Sequence, residues 1–85
     1  MNKNLFRDIK AEITGQEMSL YELDDYMQTV TSSTTSIFNY DREYWDGFIW
    51  KVGEDDGIIV DFDILNDPED DDLEIKVLVK KVTEF

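Results

Sequence analysis

The sequence has no cysteine, no histidine and a single proline in 85 residues. Without cysteine there is no disulfide framework, no thiolate nucleophile and no cysteine-based zinc or iron–sulfur site. Without histidine there is no Ser-His-Asp triad, no HExxH zinc site and no ordinary proton shuttle near neutral pH. No apolar run approaches the ~20 residues of a membrane span. The first residues, MNKNLFRDIK, lack the apolar core of a secretory signal, so a cytoplasmic location is expected. Bases are scarce as well: eight Lys and Arg stand against 21 Asp and Glu, a formal net charge of −13. A small domain ordinarily carries a magnitude of about 2–8. Such an excess disfavours direct contact with DNA, RNA or an anionic lipid surface and favours a basic partner or a cation.

Hydrophobic residues make up 41% of the chain and aromatics 13%, enough for a modest core. Residues 1–85 are therefore expected to form a single domain. Leu5, Phe6, Ile9 and Ile13 recur at helical spacing, predicting a helix over 4–14 with Gly15 as its stop. Ser19 and Glu22 fit a capping box, with Met18 and Leu23 placed as a hydrophobic staple. Leu20, Leu23, Met27 and Val30 then form one stripe, predicting a helix over 20–30. The polar run Thr31–Ser36 ends it. Ile37–Tyr40 reads as a short strand and Asp41-Arg42-Glu43 as a turn. Phe48, Trp50 and Val52 alternate, as do Ile58, Val60, Phe62 and Ile64, and again Leu73, Ile75, Val77 and Val79. The alternation slips at Lys80-Lys81 before Val82, which marks a bulge. The expected fold is α+β: two N-terminal helices packed on a three- or four-stranded antiparallel sheet.

The negative charge is concentrated. Residues 17–75 hold eighteen acids and two bases, Arg42 and Lys51. Glu54, Asp55 and Asp56 fall in a turn between glycines. Asp61 and Asp63 share one face of the following strand, and Asp67, Glu69, Asp70, Asp71 and Asp72 fall in the loop after it. Carboxylates two residues apart on a strand lie about 6.6 Å from each other, comparable to successive phosphates, and turn, strand and loop together make a ridge roughly 25 Å long. A solvated acidic face that keeps the chain soluble and discourages edge-to-edge aggregation is the plainer reading of the same residues.

Other motifs carry less. An EF-hand loop begun at Asp67 would need glycine at its sixth position and glutamate at its twelfth, but these are Asp72 and Leu78, so no dedicated metal site is expected. Paired carboxylates can perform acid–base chemistry in a deep cleft, which a domain of this size rarely builds. No catalytic residue and no cofactor is expected. In the aromatic stretch Tyr44–Trp50, Phe48 and Trp50 share the core parity. Trp45 has the other, which makes it a candidate interface anchor, partly exposed and rimmed by acids, or else a cover for the sheet edge.

In its size, its acidity, its lack of Cys and His and its grouped acids on a small α+β frame, the chain resembles small phage-encoded inhibitors that mimic nucleic acid. Anti-CRISPR proteins, antirestriction proteins and uracil-DNA glycosylase inhibitors are of this kind. The resemblance is one of profile along the chain and rests on no family motif. It implies a non-enzymatic inhibitor whose carboxylates stand in for phosphates and block the DNA- or RNA-binding site of a defence or DNA-processing enzyme. The partner would be a basic nucleic-acid-binding protein such as a nuclease, met in the host cytoplasm if the chain is phage-encoded. The expected contact residues are Glu54, Asp55, Asp56, Asp61, Asp63, Asp67, Glu69, Asp70, Asp71, Asp72 and Trp45. The alternative is an acidic protein-interaction or regulatory module that uses an aromatic surface or a sheet edge without mimicry.

Overall fold

The computed structural model describes residues 3–45, 47–66 and 74–85, with the side chain of Lys3 left aside. Two helices, α1 (Lys3–Ile13) and α2 (Leu20–Thr31), are separated by a short strand, β1 (Glu17–Ser19). Two single-turn 3₁₀ helices follow, Ile37–Asn39 and Arg42–Tyr44. Three longer strands complete the chain: β2 (Phe48–Val52), β3 (Asp56–Ile64) and β4 (Lys76–Glu84). The sheet is antiparallel with order β1-β4-β3-β2, and the fold is α+β with both helices N-terminal. No helix among the described residues is long and apolar enough to cross a membrane.

The helix ends follow local chemistry. Ser19 is extended and its Oγ accepts from the backbone N–H of Glu22 at 3.0 Å, the N-cap expected from the sequence. The extended backbone that an N-cap requires also suits a strand, so Ser19 closes β1 while it opens α2. Gly15 has φ +80°, a left-handed conformation open to glycine because it has no Cβ to clash with the backbone, and it turns the chain out of α1. Its N–H then donates to Val79 O at 2.8 Å, and Val79 N–H returns a bond to Gln16 O at 3.0 Å. β1 is thereby stitched to the sheet by a partner some sixty positions away, which is why three residues without visible alternation become a strand.

The alternating positions decide the core. Phe48, Trp50, Ile58, Val60, Phe62, Val77, Val79 and Val82 are buried, together with Ile9, Ile13, Leu20, Leu23 and Met27 from the helices and Ile75 just before β4. Leu5, expected in the core, is only half-buried against its margin. The bulge is where the sequence slips: Asp61 pairs with Lys81 and Phe62 with Val79, so Lys80 is the extra residue. It resets the alternation of β4, so that Val79 and Val82 both face inward.

The expected strand at Ile37–Tyr40 is a 3₁₀ turn instead. The cause is tertiary. The Asp24 carboxylate accepts from Ile37 N–H and from Ser36 Oγ, both at 2.9 Å. These bonds hold the chain over α2 and consume a donor that a ladder would need.

Candidate interaction surface

Of the acids singled out in the sequence, those described fall at the β2–β3 turn and along β3. Glu54 and Asp55 are exposed in the β2–β3 turn, and Asp56, half-buried, opens β3. Asp61 and Asp63 do share the open sheet face, but not as an uninterrupted ridge. Asp61 is set opposite Lys81 across the β3–β4 ladder, and Asp63 pairs with Lys80 Nζ at 3.4 Å. The antiparallel register brings the basic end of the chain alongside these acids, which a charge count along the sequence does not reveal. Asp67, Glu69, Asp70, Asp71 and Asp72 lie outside the described residues.

A second set of acids went unremarked as a group in the sequence. Glu12 at the end of α1, Glu17 in β1 and Glu22 in the first turn of α2 line one groove of about 310 Å³ with Ile13, Gln16, Met18 and Tyr26. None of its lining residues is basic, and Glu17 and Glu22 also line an adjoining groove of about 340 Å³ that includes Lys76. The pKa of Tyr26 is raised from its ordinary value, chiefly by burial and further by the charges of Glu12 and Asp8. Glu22 also sits where the dipole of α2 favours an anion. Sequence spacing could place Glu22 on a helix, but only the return of β1 to the sheet brings Glu12 and Glu17 to it.

Trp45 corrects the expectation of partial exposure: it is only 2% accessible. Its Nε1 donates to Tyr40 O at 2.9 Å, Phe38 packs edge-on at 5.6 Å between ring centroids, and the Arg42 guanidinium lies 5.7 Å from its ring. A side chain so enclosed is a structural pin for the 37–45 connector. Its neighbours Tyr40 and Tyr44 are exposed instead, at 50% and 59%. With Thr35 they form one wall of a groove of about 580 Å³, and Gly47, Phe48, Ile49 and Lys51 at the start and along the length of β2 form the other. Tyr40 stacks edge-on against Phe48 at 5.2 Å. The sequence hint was slight: both tyrosines flank the charged triplet Asp41-Arg42-Glu43, a setting that suits a wet ring edge.

Asp24 is the other residue the sequence did not single out. It is buried, and besides Ser36 and Ile37 it accepts from Gln28 Nε2 at 2.7 Å and Trp50 Nε1 at 3.0 Å. Four donors converge on one carboxylate, which marks it as a structural hub with no accessible face for chemistry. Among the described residues no three Asp or Glu side chains are grouped so as to hold a metal ion. No known protein family, curated protein or solved structure matches the chain.

Proposed function

We propose that this chain is a non-enzymatic inhibitor that binds a basic, nucleic-acid-binding surface of a nuclease or other DNA-processing enzyme and excludes its substrate. The observation that carries the proposal is the groove bordered by Glu12, Glu17 and Glu22 with no basic lining residue, on a chain whose net charge is −13. Exposed Glu54 and Asp55 add charge at the far end of the sheet. Carboxylates presented this way can displace the counterions and phosphates that a basic channel would otherwise hold, so affinity should fall steeply as salt rises. Asp63 contributes less than its place in the sequence suggests, because Lys80 offsets it.

The alternative, a regulatory module that binds without mimicry, is favoured by the exposed tyrosines beside β2. Competition separates the two. A partner recovered by affinity capture at low salt is challenged with saturating DNA and RNA. Displacement by nucleic acid, and loss of binding when Glu12, Glu17 and Glu22 are changed together to Gln, supports mimicry. A complex that survives both leaves the interaction module as the function.

A further inference from the structure

The geometry points to the groove beside β2 as a docking site for an extended, arginine-bearing segment of a partner protein, added to the sheet as a fifth strand. The inference stands apart from phosphate mimicry, since it needs only the sheet edge and the groove.

β2 ends the sheet order, and among the described residues its backbone pairs with β3 alone. An unpaired strand edge is a template for another chain. Here Tyr40 and Tyr44 of the connector line the 580 Å³ groove together with Gly47, Phe48, Ile49 and Lys51 at that edge. Five residues of β2 offer a ladder about 16 Å long.

Charge decides the occupant. A second copy pairing through the same edge would bring two chains of net charge −13 together, and the resulting repulsion opposes it. A cationic segment is attracted instead. Asp41 and Glu43, next in sequence to the two tyrosines, are exposed on either side of Arg42, and the Asp61 carboxylate lies so close to Gly47 that a methyl group there would sit 2.7 Å from Oδ1. Exposed tyrosine faces also suit guanidinium groups. Lys51 lines the other end of the groove, so arginines belong at the tyrosine end and neutral residues opposite Lys51.

The test uses an acetylated, amidated seven-residue peptide of alternating threonine and valine with arginines confined to one half, made in both sequence directions. Binding to the intact chain is followed by backbone amide shifts and hydrogen exchange. The expected result is saturable binding with shifts and new exchange protection centred on Phe48–Val52. N-methylation of alternate peptide amides should weaken it about tenfold or more, because it removes ladder donors. Glutamate in place of arginine should weaken it by a similar factor, and Tyr44→Ser by about threefold. Tyr44 is exposed, so the folded state of that variant is checked by its unchanged amide spectrum away from the groove. Equal affinity of the N-methylated peptide would overturn strand addition. So would absence of binding by both peptide directions, shifts confined to the helices, or concentration-dependent protection of β2 without peptide, which would assign the edge to a second copy.

Discussion

The indole N–H of Trp50 donates to Oδ1 of Asp24 at 3.0 Å, joining the centre of β2 to α2 across 26 positions of sequence in a setting closed to solvent. The same carboxylate holds Ser36 and Ile37, so one side chain fastens helix, connector and sheet. Removing it strands several buried donors at once, and each unsatisfied group costs about 1–3 kcal/mol. Asp24→Ala should therefore lower unfolding free energy by roughly 3 kcal/mol or more, and Asp24→Asn by about 2, since an amide turns one acceptor into a donor facing donors. Asp25→Asn, on the exposed neighbour, should change stability by less than about 0.5 kcal/mol. Urea denaturation measures all three.

Gly47 has φ +72° and faces Asp61. Alanine there meets both a left-handed backbone and the carboxylate, so Gly47→Ala should destabilise by about 1–2 kcal/mol from the backbone alone. Combining it with Asp61→Ala should recover the part due to the clash and leave the backbone part. A double-mutant cycle in denaturant reads that coupling directly.

Deleting one residue from a strand ordinarily turns every following side chain to the wrong face. Lys80 is the exception here, because it is the surplus residue of the bulge. Its removal leaves Val79 opposite Phe62, the next lysine opposite Asp61 and Val82 opposite Val60, all with their present facing. The deletion should keep the fold and shift the unfolding free energy by no more than about 1–2 kcal/mol, whereas deletion of Leu78 should abolish cooperative unfolding. Circular dichroism melts of the two deletions distinguish these outcomes.

Tyr26 links stability to alkaline pH. Its pKa is raised in the folded state above the ordinary 10.0, so the folded chain holds this proton more tightly than the unfolded chain. The contribution is fully present below the unfolded value and is lost as pH rises through 10 toward the folded value. The melting temperature should fall over that window, and Tyr26→Phe should fall less steeply than the parent. Tyrosinate absorbance in the folded protein should show one hydroxyl titrating late.

Excess negative charge opposes the compact state, and salt screens it, with a Debye length of about 10 Å at 0.1 M. Raising sodium chloride from about 20 to 300 mM should raise the melting temperature. A steady decrease would show that favourable ion pairs such as Lys80–Asp63 outweigh the repulsion.

The sequence by itself determined the two helices, the capping serine, the facing of the three long strands and the place of the bulge. Each rests on short-range periodicity or on one local hydrogen bond, as with Ser19 and Glu22. Tertiary structure alone decided the rest. β1 exists because Gly15 and Gln16 find Val79, and the 37–39 turn because Asp24 captures Ile37. Trp45 is buried because Tyr40, Phe38 and Arg42 fold around it. Charge followed the same division. Composition showed how much there is, but register set lysines beside Asp61 and Asp63 and collected Glu12, Glu17 and Glu22 at one groove. Electrostatic neighbours are set by distance through space, and a chain read in one dimension has no access to that distance until its strands are paired.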